Sequence, residues 1–302
     1  MSVHSPLRDA FVVLPHHQER ARLLNTAVLE CAIVPIVGAS GSGKTRFLHW
    51  WWQAACADQR MVGPTTVQPE EIIFIRAQSL GTSGIPILSV VLTQLFVALQ
   101  ELNCLLTEQR IPHRSGKPRS LYSKRQIASL LHEEIAPLFA EVQPQAIVIT
   151  SAEVLDDETL TALLHLRRVV RRGYTYKPTC GLVLCARVEP EKIEDSRFSA
   201  LLNRSPETRT AWPDHLTIDL MSVRECGLVL MKIIQEHLQA TFAPDVDPRQ
   251  TLITFGRWTD LNWWLVEQLV QKLDYVLGPI RGEQKRIITH EVVDKVQSLW
   301  KR

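Results

Sequence analysis

The stretch Gly38-Ala39-Ser40-Gly41-Ser42-Gly43-Lys44-Thr45 fits the pattern GxxxxGK(S/T) at every required position. In such a loop the glycines let backbone N–H groups turn inward around phosphates, Lys44 reaches the β- and γ-phosphates, and the Thr45 hydroxyl ligates Mg²⁺. An apolar run from Cys31 to Val37 predicts a strand before the loop, and residues Arg46 to Ala55 favour a helix after it. The motif therefore predicts a binding site for ATP and Mg²⁺ at Gly38 to Arg46; the alternative is a structural glycine turn.

Composition and charge narrow the class of protein. Of the 302 residues, 45% are hydrophobic and 22% are charged, which predicts a full core in one large and one small domain. The net charge of +2 is too small to indicate a partner by itself. No uninterrupted run of about 18 apolar residues occurs, so neither secretion nor a membrane span is expected. The six cysteines form no CxxC pair and no metal-ligand spacing, which is typical of reduced thiols in a cytoplasmic protein.

Strand-like and helix-like segments alternate up to about residue 220, which predicts a parallel sheet flanked by helices. Pro35 is awkward within the first strand because it cannot donate to a ladder. The predicted strands are Ala32–Val37, Ile72–Arg76, Ala146–Thr150, Gly181–Ala186 and Leu216–Leu220. The predicted helices are His16–Leu29, Thr45–Ala55, Ile87–Leu105, Lys124–Ala140 and Glu158–Arg171.

The remainder of the chain has a purely helical pattern. Ser222 and Glu225 have the spacing of a capping box, which marks the start of a helix. The predicted helices here are Val223–Gln239, roughly Leu261–Leu277, and Glu291–Trp300. The sequence thus predicts an N-terminal helix plus α/β domain over residues 1–220 and a small helical lid domain over residues 221–302.

Two groups of tryptophans stand out. The adjacent residues Trp50, Trp51 and Trp52 point about 100° apart on a helix, so they cannot all face one core. Either at least one lies at an interface with a subunit or partner, or all are covered within the chain. Trp258, Trp263 and Trp264 are predicted to lie in the core of the lid domain.

An N-terminal helix, a P-loop α/β domain and a small helical lid resemble the AAA+ ATPases. The stretch Ile147-Val148-Ile149-Thr150-Ser151-Ala152-Glu153-Val154-Leu155 is similar to that of transposition regulators of the TnsC, TniB and MuB type. Those proteins carry Asp-Glu-Ala-Asp after an apolar strand, where this chain reads Thr150-Ser151-Ala152-Glu153. The resemblance spans nearly the whole chain, but only the P-loop matches residue for residue.

The resemblance has consequences for hydrolysis. The first acid of the family motif holds Mg²⁺ through water and the second polarises the attacking water, so Thr150 and Ser151 lack both a charge and a base. Glu153, Asp156 and Asp157 are close enough in sequence to supply a displaced carboxylate, and Glu153 is the catalytic candidate among them, alongside Lys44 of the loop. The alternative is that Glu153 and its neighbours Asp156 and Asp157 are acids that favour a helix N-terminus. The resemblance implies a protein that binds ATP with weak or lost hydrolysis.

The resemblance also implies residues outside the loop. A neighbouring subunit supplies an arginine in trans in AAA+ assemblies, and its position falls closest to Arg204; the alternative is an ordinary solvated arginine. The polar sensor at the end of the fourth strand falls at Cys185 or Ala186, and the sensor arginine of the lid falls nearest Asp260 or Arg257. With Arg204 in this role, ATP binding is linked to self-assembly into a ring or helical oligomer.

Basic residues concentrate between Gln109 and His132, where no carboxylate occurs. In the resembled regulators this region faces double-stranded DNA, and clustered cations favour phosphate contacts. The alternative is a solvated loop with an excess of base. The candidate DNA-binding residues are Arg110, Arg114, Lys117, Arg119, Lys124 and Arg125. A second basic segment, Arg167 to Arg172, also suits a helix C-terminus.

The function implied is an ATP-dependent regulator of transposition. Such a protein assembles on double-stranded DNA and links a target-selecting adaptor protein to recruitment of the transposase. Two alternatives are a catalytically active AAA+ ATPase of an origin-recognition-like or remodelling type and a STAND-like signalling or defence ATPase. The pair Thr150-Ser151 favours the regulator, because it removes the acids that hydrolysis needs.

Overall fold

The computed structural model describes residues 11–55, 67–78, 86–106, 124–168, 178–211, 215–279 and 286–301. The chain packs as two compact units. We call one the sheet unit, which comprises Gln18–Gly38 and Leu48–Thr217. The other, the helical unit, comprises Met1–His17, Ala39–Phe47 and Ile218–Arg302, and so includes most of the P-loop.

The sheet unit contains five parallel strands in the order β2-β3-β4-β1-β5. The strands are β1 Ile33–Val37, β2 Ile72–Arg76, β3 Ala146–Thr150, β4 Gly181–Cys185 and β5 Leu216–Thr217. The predicted fold class, a parallel sheet flanked by helices, is confirmed. The fifth strand is shorter than the predicted Leu216–Leu220, because only Leu216 and Thr217 pair with β1.

Helices accompany these strands along the chain. They are α1 Pro15–Leu29, α2 Lys44–Trp50, α3 Ile87–Leu106, α4 Lys124–Ser129, α5 Ala136–Val142, α6 Asp157–Leu166, α7 Arg197–Leu202 and α8 Pro206–Ala211. A π-helical turn, Trp51–Ala55, continues α2, and a second, Leu130–Ile135, joins α4 to α5. The helix predicted at Lys124–Ala140 is therefore interrupted by a π segment and extends to Val142.

The backbone of Pro35 faces a side of β1 on which its missing N–H donor is not needed. The Ala32 carbonyl oxygen accepts an N–H from β4, and the Ile36 carbonyl oxygen accepts the N–H of the residue just after β4. Every second residue of a strand directs its backbone groups to the same neighbouring strand, so position 34 also faces β4 and position 35 does not. Pro35 therefore faces the β5 side, where pairing begins only opposite Ile36. At that point Pro35 is not required to donate to a ladder, which explains its place in an interior strand.

Helix α3 is long and apolar enough to cross a membrane by length and composition alone. Several of its residues lie instead in the core of the sheet unit. Val91, Leu92, Leu95 and Leu99 are all fully buried in one cluster with residues of β2, β3 and β4. The apolar composition of α3 is thus that of a helix packed on a sheet.

The helical unit is not purely helical, and that prediction was wrong. It contains a short parallel ladder between β6 Ala240–Phe242 and β7 Arg286–Ile288. Three-residue strands give too short an alternation to be recognised by pattern. The helices are α9 Val223–Lys232, continued by a π turn at Ile233–His237, α10 Pro248–Trp258, α11 Trp263–Leu277 and α12 His290–Trp300.

The start of α9 was predicted correctly, whereas α10 was missed. The Ser222 hydroxyl accepts from the Glu225 N–H, and the Glu225 carboxylate accepts from the Ser222 N–H, which completes the capping box. Helix α10 carries its own start signal, since the Asp247 carboxylate caps it and Pro248 is its first residue.

The tryptophans divide by burial. Trp51 is fully buried, and its indole N–H donates to Asn25 of α1 at 2.6 Å. Trp50 and Trp52 are half-buried. Trp263 is 3% exposed within the core of the helical unit, as predicted, but Trp264 is 60% exposed, so its predicted place in the core was wrong.

A buried arginine fastens the sheet unit at the end opposite to the carboxyl ends of its strands. Arg167, which follows α6, is 1% exposed, and its guanidinium donates to the carbonyl oxygens of Cys180 and Cys31. It also pairs with the Glu207 carboxylate of α8, 2.9 Å away. Burial acts to lower the pKa of Arg167, while Glu207 opposes that shift. Arg167 therefore has a structural role.

Candidate nucleotide-binding site

The backbone of the P-loop has the conformation that its glycines permit. Gly41 has a φ of +76° and Gly43 a φ of +93°, in the region that residues with a Cβ seldom adopt. The P-loop thus uses two of its three glycines for their backbone freedom.

Lys44 is the central cation of the P-loop. It is 8% exposed, and its ammonium donates to the Ala39 carbonyl oxygen at 2.7 Å and to the Ser42 hydroxyl at 3.4 Å. The Ser42 N–H also reaches the Ala39 oxygen, at 3.3 Å. One carbonyl oxygen therefore receives a backbone N–H and the lysine ammonium, the two donor types that a bound phosphate takes from such a loop.

Thr45 is the residue that the motif assigns to Mg²⁺. It is exposed in the first turn of α2 and lines the same cavity as Lys44. A hydroxyl oxygen beside phosphate oxygens is a donor that suits Mg²⁺. The residues present thus fit Mg²⁺ with ATP, in which the metal would neutralise phosphate charge.

A cavity of about 250 Å³ opens at the P-loop. Pockets that enclose a complete small molecule have volumes of about 300–1,000 Å³. The cavity therefore accommodates the phosphates and leaves much of a nucleotide outside it. Its walls combine the P-loop with one face of α11: Gly41, Gly43, Lys44, Thr45, Arg46, Trp263, Trp264 and Glu267.

The start of α11 contacts the P-loop directly, and sequence reasoning missed this. The side-chain amide of Asn262 donates to the Ser40 carbonyl oxygen at 2.9 Å, and the backbone N–H of Trp263 donates to the Gly41 carbonyl oxygen at 2.8 Å. Arg46 forms an ion pair with Glu267, 2.7 Å away. The available signal was an asparagine before an apolar helix, which predicts an N-cap but not its distant partner.

The glycines also leave space for α11. A Cβ built on Gly41 would lie 2.0 Å from the Asn262 Oδ1, and one on Gly43 would lie 2.5 Å from Cδ1 of the Trp263 indole. Both distances are far shorter than a van der Waals contact. Gly41 and Gly43 are therefore required for packing as well as for backbone conformation.

This packing predicts opposite effects for two glycine substitutions in the helical unit. Gly43→Ala should lower the free energy of unfolding by about 2–4 kcal/mol, because the new methyl group meets a buried indole at an unfavourable φ. Gly227→Ala, in α9, should raise it by about 0.5–1 kcal/mol, because the added Cβ meets no described atom within 4 Å apart from the neighbouring backbone of its own helix. Urea denaturation measures both; shifts of the same sign would contradict the assigned packing.

The end of β3 carries no acid. Thr150 is its last residue and donates its hydroxyl to the Ile75 carbonyl oxygen at 3.3 Å. Ser151 follows with a φ of +58°. The neighbouring position on β4 is Cys185, a buried thiol, so this pair of strand ends holds neither a carboxylate nor a charged sensor.

The nearby acids and Arg204 are engaged elsewhere in the sheet unit. Glu153 accepts the backbone N–H of Arg187 at 2.9 Å. Asp156 caps α6 by accepting the Thr159 N–H at 2.8 Å, so for Asp156 the structure shows the helix-capping role. Arg204, the candidate for action in trans, forms an exposed ion pair with Asp157.

The structure describes only some of the other predicted site residues. Arg257 and Asp260 are exposed, and neither contributes to the lining of the P-loop cavity. Lys124 and Arg125 begin α4. The other candidate DNA-binding residues, Arg110, Arg114, Lys117 and Arg119, lie outside the described residues, as do Arg171 and Arg172.

Comparison with known proteins bears on the fold. The Walker-type ATPase PABY2304 of Pyrococcus abyssi matches 93% of this chain over 70% of its own length, with a TM-score of 0.53 and 12% sequence identity. The fold is that of a P-loop ATPase. At this identity the likeness extends to the fold alone. No family model matches the chain, and no curated protein matches it.

Proposed function

We propose that this protein is an ATP-binding switch of the AAA+ class that uses Mg²⁺ and hydrolyses ATP slowly or not at all. The observation that carries the proposal is a contrast within one fold. The P-loop holds the Lys44 ammonium among acceptor oxygens of the loop, whereas β3 ends in Thr150 and is followed by Ser151. Binding groups without hydrolytic acids suit a protein whose nucleotide state is recognised by its partners.

We further propose that its partner is double-stranded DNA, on which it assembles in an ATP-dependent way as a cytoplasmic regulator of transposition. Support comes from the sequence between Gln109 and His132, with six Lys or Arg residues and no carboxylate. Such a segment neutralises phosphates without reading bases. The resemblance to TnsC-type regulators supports the same partner and adds self-assembly, a transposase and a target-selecting adaptor.

DNA binding is tested by titrating random-sequence duplex at several salt concentrations with and without a non-hydrolysable ATP analogue. We expect binding only with the analogue, and a plot of log affinity against log salt with a slope near −0.9 per phosphate neutralised. The double variant Arg114→Ala/Lys117→Ala should have a shallower slope by about 2. The control Arg249→Ala, an exposed arginine of α10, should match the unmodified protein. Binding that ignores the nucleotide would contradict the proposal.

The hydrolysis half of the proposal has a separate test. Steady-state phosphate release, measured with and without duplex, should stay well below the roughly 1–10³ s⁻¹ of ordinary enzymes. Turnover in that range that is lost in Glu153→Gln would instead show ATP to be a substrate and Glu153 to be the base.

A further inference from the structure

The contact between α11 and the P-loop points to a further functional residue. We propose that Asn262 is a positioning residue, which holds the P-loop with its N–H groups directed at the nucleotide phosphates. This inference rests on the proposed ATP binding and adds to it a residue of the lid region. It is carried by four observations about the Asn262 side chain and its surroundings.

The first observation is that α11 holds consecutive carbonyl groups of the P-loop. Asn262 donates to the Ser40 oxygen at 2.9 Å, and the next backbone N–H, of Trp263, donates to the Gly41 oxygen at 2.8 Å. Two adjacent peptide groups of the P-loop are thereby fixed in orientation.

The second observation concerns the opposite side of those peptide groups. In a planar trans peptide the C=O of one residue and the N–H of the next point in opposite directions. With the Ser40 and Gly41 oxygens turned toward α11, the N–H groups of Gly41 and Ser42 point away from it. The Ser42 N–H does so, since it reaches the Ala39 oxygen that Lys44 also contacts. Helix α11 thus supports the carbonyl side of the P-loop and leaves its N–H side to an anion.

The third observation is that both functional atoms of the amide are used. The Asn262 Oδ1 accepts the N–H groups of Trp264 at 2.9 Å and Leu265 at 3.4 Å, which caps α11. The Nδ2 is then free to serve the P-loop. Serine and aspartate cap helices about as well, but an ionised aspartate has no donor and a serine hydroxyl is one atom shorter. Asparagine is therefore needed at position 262 for the P-loop contact, since the cap alone could be made by serine or aspartate.

The fourth observation is that the P-loop has space for this side chain. The position that a Cβ of Gly41 would fill is occupied by the Asn262 amide, with Oδ1, Nδ2 and Cγ within 2.0–2.3 Å of it. The Asn262 side chain thus fits the space beside Gly41, and any residue with a Cβ at position 41 would displace it.

The test separates the P-loop contact from the cap. Asn262→Ser keeps a capping oxygen and loses the donor to Ser40, whereas Asn262→Ala loses both. We expect the affinity for ATP, and for inorganic triphosphate as a probe of the phosphate site alone, to fall between about twofold and tenfold in both variants. The melting temperature should fall clearly only in Asn262→Ala.

A matched control removes a different cap from the same unit. Asp247→Ala uncaps α10 and should lower the melting temperature like Asn262→Ala, with ATP affinity unchanged. Unchanged affinity in Asn262→Ser, or reduced affinity in Asp247→Ala, would overturn the positioning role and leave ATP binding intact. Absence of ATP binding by the unmodified protein would overturn the proposed function itself.

Discussion

Replacement of Lys44 by alanine should raise the dissociation constant for Mg·ATP by about 10- to 150-fold. That range follows from about 1.5–3 kcal/mol for hydrogen bonds from a charged donor. Lys44 is a buried cation of the site, and its ammonium lies within the P-loop, 2.7 Å from the Ala39 carbonyl oxygen. Loss of the ammonium removes attraction that the backbone N–H groups do not replace. Isothermal titration with a non-hydrolysable analogue measures the change.

The control for this experiment is another lysine. Lys192 is largely exposed and pairs only with Glu189 three residues before it in the described structure, so Lys192→Ala should bind ATP like the unmodified protein. Melting temperatures of both variants establish that they are folded. An unchanged dissociation constant in folded Lys44→Ala would mean that the sequence Gly38 to Thr45 is a structural turn.

Replacement of Arg167 by methionine should lower the free energy of unfolding by about 3–5 kcal/mol. Methionine keeps much of the apolar volume of the stem, so the loss comes from the guanidinium. Without it, the carbonyl oxygens of Cys31 and Cys180 lose their bonds to that group, and the partly buried Glu207 carboxylate keeps its charge with one partner fewer. Guanidinium denaturation, followed by circular dichroism, measures the change.

The neighbouring Arg168 supplies a matched control on the same carboxylate. Its side chain is 43% exposed and pairs with the second oxygen of Glu207. Arg168→Met should cost no more than about 1 kcal/mol, as exposed ion pairs do. Equal losses in the two variants would refute the structural role of Arg167, and a large loss of DNA affinity with stability unchanged in Arg167→Met would restore the basic segment as a DNA contact.

Much of the sheet unit could be predicted from sequence because its signals are local. Apolar runs bounded by turn residues define each strand, and alternation with helices implies parallel pairing. The P-loop carries its chemistry in eight adjacent positions, and the capping box in four. The burial of Arg167 had no such signal, since a basic run at the end of a helix is the same in sequence whether it faces solvent or a carboxylate of α8.

The part of the candidate site that α11 supplies depends on contacts between residues far apart in sequence, which no local sequence pattern predicts. Asn262 lies 222 residues beyond its partner Ser40, and its amide looks in sequence like any helix cap. Trp264 has the same apolar neighbours as Trp263, but one position changes the face of a helix by about 100° and turns Trp264 to solvent. Position on a helix, and not residue type, separated the two.

The distance along the chain between Ser40 and Asn262 has a consequence during synthesis. Ribosomes add about 5–20 residues per second, so the 222 residues between the two take roughly 10–45 s to make. Throughout that interval the nascent P-loop exists without the amide that orients its carbonyl groups. On the proposed role of Asn262, a growing chain reaches its full affinity for phosphate only after residue 262 and helix α11 have been translated, and until then its affinity is lower by the factor of about two to ten that we expect for Asn262→Ala.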